Sequence, residues 1–145
     1  MSGAYEISTG NSRLDVALIH DFLRHSYWAR NIPRRVVEKS LEHSLCFGAF
    51  HDGRQVGFGR VITDFATFAY VADVFVVPEH RGRGVSKLLM RSILAHPELQ
   101  GLRRIILATH DAHGLYRQFG FQPLAHPENM MSIHHPDVYA GPGGE

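Results

Sequence analysis

Residues 71–89, VADVFVVPEHRGRGVSKLL, restrict more than any other stretch how this chain can fold. Val74, Phe75, Val76 and Val77 form a nearly continuous β-branched and aromatic run, the pattern of a strand covered on both faces. Pro78 ends the run, because it has no N–H to offer a ladder. Val85, Leu88, Leu89 and Ile93 then recur three or four residues apart, which predicts an amphipathic helix stopped by His96-Pro97. A buried strand must therefore pass through a basic, glycine-punctuated turn straight into a helix that starts near Gly82 to Gly84.

The first N–H groups of such a helix lack intrahelical partners, and the aligned peptide dipoles leave partial positive charge there. Gly82 and Gly84 let the main chain come close to a ligand with φ > 0, while Arg81, Arg83 and Lys87 add full charges around the same point. A pyrophosphate suits this turn. No third glycine completes a dinucleotide fingerprint, and no G-x4-G-K-S/T occurs anywhere in the chain.

The segment Arg81-Gly82-Arg83-Gly84-Val85-Ser86 resembles the signature Q/R-x-x-G-x-G/A of the GNAT superfamily, the acyl-CoA-dependent N-acyltransferases. A second segment, LYRQFGF at residues 115–121, resembles that superfamily's L-Y-x-x-x-G-F. Ser86 departs from the usual Gly or Ala, a small change expected to touch packing more than binding. Thr109 stands seven residues before Tyr116, where many members carry an Asn that contacts the cofactor.

One hundred and forty-five residues suffice for one domain with a core of its own, and the expected division is a domain over residues 1–140 with a mobile glycine-rich tail at 141–145. A hydrophobic fraction of 44% with 20% charged residues excludes disordered and fibrous classes. A net charge of +1 argues against general binding to nucleic acid or membrane. Cys46, the single cysteine, lies in an apolar run and reads as a buried reduced thiol, which suits a cytoplasmic location. Residues 1–10 show no export signal, and no stretch approaches eighteen consecutive apolar residues.

Along the chain, residues 4–8 read as a strand, and Ser12 with Asp15 resembles a capping box for a helix carrying Leu14, Leu18 and Phe22. Pro33 precedes a second helix with Val37 and Leu41, reaching about residue 43. Residues 45–64 read as two strands joined at Asp52-Gly53, and the strand before the turn should pair with them antiparallel. Residues 103–109 form a further strand, Asp111 is placed to cap a short helix ended by Gly120, and FQPLA and MMSIHH would supply two last strands. The fold class is α/β (α+β), and the order β-α-α-β-β-β-α-β-α-β-β agrees with the GNAT arrangement, a mixed, mostly antiparallel sheet flanked by helices.

The resemblance implies an N-acetyltransferase that moves the acetyl group of acetyl-CoA directly onto a primary amine of a small molecule, peptide or protein. Cofactor contacts are then expected at Val74, Phe75 and Val76 for the pantetheine arm, and at Arg81, Gly82, Arg83, Gly84, Val85, Ser86 and Lys87 for the phosphates. Tyr116 is the expected general acid for the departing thiolate, its phenol of pKa about 10 facing a thiol of about 8.5; packing against Phe119 and Phe121 is the competing reading. Asp73 in an apolar strand and His110 at the end of the next are candidate bases, with an Asp satisfied by a neighbouring arginine as the alternative. Tyr27 and Trp28 either shape an acceptor pocket, where rings could bracket an amine, or pack the helix pair.

Eleven histidines do not form a set with metal-ligand spacing, so no metal is expected. Apart from the acceptor, the expected partner is a second copy of the chain, through apolar edge strands near the C terminus with Met130, Met131 and Ile133 that could as easily complete the monomer's own sheet. A non-catalytic CoA-binding sensor and a module for another nucleotide are the competing functions.

Overall fold

A computed structural model describes residues 4–140. Five strands form one sheet in the order β1 to β5: β1 (Glu6–Thr9), β2 (Leu45–His51), β3 (Arg54–Thr63), β4 (Phe68–Val76) and β5 (Arg104–Leu107). The first four pair antiparallel in sequence order, and β5 runs parallel to β4. Helices α1 (Val16–Arg24) and α2 (Arg34–Glu42) follow β1, α3 (Val85–Ala95) follows β4, and α4 (His113–Arg117) follows β5.

The central strands are buried on both faces. Phe47, Val71, Val76, Leu89, Met90 and Ile93 belong to one core on the α3 side, whereas Ile19, Leu23, Val37, Cys46, Phe58 and Phe75 build a second beneath α1 and α2. Neighbours Cys46 and Phe47, like Phe75 and Val76, fall into different cores, as the two-residue period of a strand demands. Burial in β2 is accordingly continuous from Cys46 to Phe50. Asp52 at φ +51° and Gly53 at φ +80° make the β2–β3 turn, the double positive φ for which Asp-Gly is suited.

Three local expectations need correction. The cap of α1 is Asp15, whose Oδ1 accepts from the Leu18 N–H at 3.1 Å, so Ser12 plays no part. Asp111 does not cap α4; Ala112 holds the N-cap position, and the Thr109 hydroxyl accepts its N–H at 3.0 Å. FQPLA and MMSIHH form no strands among the described residues. Pro123 and Pro127 interrupt that stretch, and Met131 and Ile133 are 96% and 90% exposed, so no face exists for a strand to bury. The outer edge of β5 is consequently unpaired among the described residues. The tail expected at 141–145 lies outside the described residues.

No helix among the described residues is long and apolar enough to cross a membrane.

Candidate active site

The pairing of β4 with β5 covers only Phe68 to Val71 against Arg104 to Leu107. Beyond Val71 the two parallel strands part, so the β5-facing edge of β4 from Ala72 to Val76 meets no ladder partner. A cleft of about 1020 Å³ opens there. It extends from the turn at Arg81, Gly82 and Gly84 to an aromatic end at Tyr27, Trp28 and Tyr70, with Tyr116 and His110 on the β5 side.

At the turn, Pro78–His80 form a single 3-10 turn, and Gly82 and Gly84 take φ +76° and +80°. An added Cβ at either glycine would meet nothing within 4 Å, so their role is the left-handed backbone and the open approach to it. Gly84 is the N-cap of α3 and supplies no side-chain acceptor. Among the described residues, the main-chain N–H groups of residues 82–87 find no protein acceptor. That leaves a ring of donors at a positive helix terminus, which fits a diphosphate.

The charged residues of the turn divide in two. Arg81 is tied back by its Nε to the Val76 carbonyl at 2.9 Å. Arg83 and Lys87 are exposed at the rim and do not line the cleft, while Arg83 Nη1 reaches the Tyr5 hydroxyl at 3.4 Å. Ser86 lines the cleft, whereas the Val85 side chain is buried in the α3 core and leaves only its amide for a ligand.

Tyr116 is half-buried. Its ring packs edge-on against Phe121, centroids 5.9 Å apart, and the residue also borders the cleft. Burial, then the nearby Tyr27 and Asp111, push the phenol above its ordinary pKa, so it holds its proton at neutral pH. His110 is exposed at the end of β5 with its ring 4.9 Å from that of Tyr27.

Asp73 occupies a β-bulge. Gly57 faces Val76 and Phe58 faces Phe75, but Arg60 faces Ala72, so Gly59 opposes both Asp73 and Val74. Asp73 takes φ +57°, unusual for a residue with a Cβ. Its Oδ1 accepts from Trp28 Nε1 and its Oδ2 from Arg60 Nε, each at 2.8 Å. Arg60 was not singled out from the sequence; the signal was a lone cation inside the apolar run from Val56 to Ile62. Tyr5, whose hydroxyl lies 2.9 Å from His80 Nδ1 beside the turn, gave no such signal.

Cys46 is fully buried, and desolvation raises its thiol pKa to about 11, which removes it as a nucleophile. Among the described residues no group of three or more His, Cys, Asp or Glu side chains could hold a metal ion.

Against known families, residues 15–121 match the acetyltransferase (GNAT) family. The chain belongs to the GNAT family. It is therefore an acyltransferase, and the fold expected from the turn and from LYRQFGF is present. A crystal structure of a candidate GNAT acetyltransferase from Xanthomonas campestris pv. campestris is 55% identical, with a TM-score of 0.93 over 95% of this chain and 98% of that one. A candidate acetyltransferase from Gibberella zeae is 29% identical over 99% of this chain and 93% of its own length. A candidate acetyltransferase from Clostridium acetobutylicum, crystallised with acetyl-CoA, shares the fold at a TM-score of 0.67 and 12% identity, over 90% of this chain and 96% of its own.

Proposed function

We propose that this GNAT protein transfers the acetyl group of acetyl-CoA directly to a primary amine, within a ternary complex and without a covalent enzyme intermediate. The observation that carries the reading is the continuity of the cleft, from the unpaired amides of residues 82–87 along the open edge of β4 to Tyr116. In this reading those amides hold the diphosphate, aided by the charges of Arg81, Arg83 and Lys87. Main-chain groups at Val74, Phe75 and Val76 hydrogen-bond the pantetheine arm.

Bound in this way, acetyl-CoA supplies an activated carbonyl. A neutral amine adds its nitrogen to that carbonyl, a strand N–H holds the oxygen as charge develops on it, and the C–S bond then breaks. Tyr116 gives its proton to the departing sulfur, for which a phenol kept neutral by burial is suited. His110, at the mouth of the cleft, accepts the proton lost by the amine, directly or through water. The proposed setting is cytoplasmic, in keeping with a buried free thiol at Cys46. The exposed Met130, Met131, Ile133 and Val138, together with the unpaired outer edge of β5, support a homodimer as part of the same proposal.

Thermal unfolding with saturating ligand tests the reading. At 100 times the dissociation constant, acetyl-CoA should stabilise the protein by about 2.7 kcal/mol, and ATP and NAD should not. Thiol release on adding primary amines should follow. A protein stabilised by NAD and indifferent to acetyl-CoA would refute the assignment.

A further inference from the structure

We infer that Asp73 is a positioning residue that, braced by Arg60, fixes the indole of Trp28 as a wall of the acceptor end, and that Trp28 thereby selects amines carried on an apolar or aromatic body. This rests on the acetyltransferase reading for its substrate and on geometry alone for the brace.

Asp73 presents both oxygens to other groups, Oδ1 to Trp28 Nε1 and Oδ2 to Arg60 Nε, each at 2.8 Å. The ion pair is nearly enclosed, with side chains 9% and 16% exposed, and Arg60 is itself held by Nη1 donating to Ser44 Oγ at 3.1 Å. The left-handed φ of +57° at the bulge carries strain that persists only where the surroundings enforce it, and here it turns the carboxylate toward Trp28.

The indole has a single N–H, and Asp73 takes it. With that edge fixed, the ring sits T-shaped against Tyr27 at 5.0 Å and tilted against Phe22 at 6.5 Å, and Trp28 remains 43% exposed on the cleft. Because Arg60 neutralises Asp73, this wall offers ring faces instead of charge to what enters. Hydrocarbon or aryl groups bury apolar area on such a surface, where a polyamine gains a cation–π contact without that burial.

Trp28 is the only tryptophan, so all indole emission reports on this wall. Asp73→Ala should raise acrylamide quenching and shift the emission, while Asp73→Asn, which keeps a carbonyl acceptor for the indole but unpairs Arg60, should change both less. With phenethylamine as probe acceptor, Asp73→Ala and Trp28→Ala should each raise KM by about tenfold, the worth of one charge-assisted hydrogen bond or ring contact. Asp73→Asn should lower kcat/KM evenly across pH and keep the acidic limb of the profile, the fall toward low pH where the amine's proton acceptor in the proposed mechanism is already protonated.

Unchanged indole emission in Asp73→Ala, or loss of the acidic limb in Asp73→Asn, overturns the assignment. Thiol release with spermidine but not with phenethylamine overturns the selecting wall. If Asp73→Ala fails to fold, the pH profile of Asp73→Asn and the KM of Trp28→Ala decide the matter. A protein that neither binds acetyl-CoA nor acetylates either amine sinks the acetyltransferase reading, and the quenching comparison still judges the brace.

Discussion

At the scale of single residues, Tyr116 and Cys46 show burial working in opposite directions on function. Burial raises the Tyr116 phenol above its ordinary pKa; in the proposed mechanism its proton goes to the leaving group, so Tyr116→Phe should lower kcat on the order of 100-fold while sparing acetyl-CoA affinity. A raised phenol pKa means that the folded state holds its proton more tightly than the unfolded chain. Stability from this group is thus intact below pH about 10 and declines above it, and kcat should show no falling limb from Tyr116 until that range. Rate profiles of the native protein and of Tyr116→Phe check this, since the limb belongs only to the former. At Cys46 the same desolvation disables chemistry: a pKa of about 11 leaves almost no thiolate. Ellman's reagent should modify the native protein only at the rate of its unfolding.

Elements show why some expectations held and others failed. The buried run, the proline stop and the helical spacing of residues 71–93 are all encoded within a few positions, and β4, the turn and α3 formed as expected. Gly84→Val tests that turn: a β-branched residue at φ +80° should cost about 1–2 kcal/mol in thermal unfolding and weaken acetyl-CoA binding as well. Caps were less legible, because Ser12 and Asp15 are both good cap residues and the backbone path decides between them. Thr109 took the role expected of Asp111 for the same reason. The C-terminal apolar clusters looked like strands because a short apolar run does not reveal whether a partner edge awaits it. The contact between Arg60 and Asp73 depends on register across a bulge, which no local pattern carries. Arg60→Ala should therefore destabilise by about 3 kcal/mol in chemical denaturation, far more than an exposed arginine would. In the loop between β3 and β4, Asp64 accepts the N–H groups of Ala66, Thr67 and Phe68 and the Thr67 hydroxyl, which hold its carboxyl well below the usual range. That support is present above pH about 4 and fades as pH falls, so the protection of the loop amides, measured as exchange relative to the intrinsic rate at each pH, should fall in acid and already be low at neutral pH in Asp64→Ala.

Across the whole molecule, a sheet with a separate core on each face opens a cleft where β4 and β5 diverge. The homodimer proposal belongs to this scale: light scattering should give twice the chain mass, and Met131→Asp with Ile133→Asp should return the monomer. The gap after Val71 has an evolutionary corollary. Its lips are peptide groups, which every sequence possesses, whereas the far wall is written in replaceable rings at positions 27 and 28. Drift at those two positions can change the guest without disturbing how the donor is gripped, so grafting residues 25–32 from one homologue to another ought to transplant preference while the nucleotide end stays as it was.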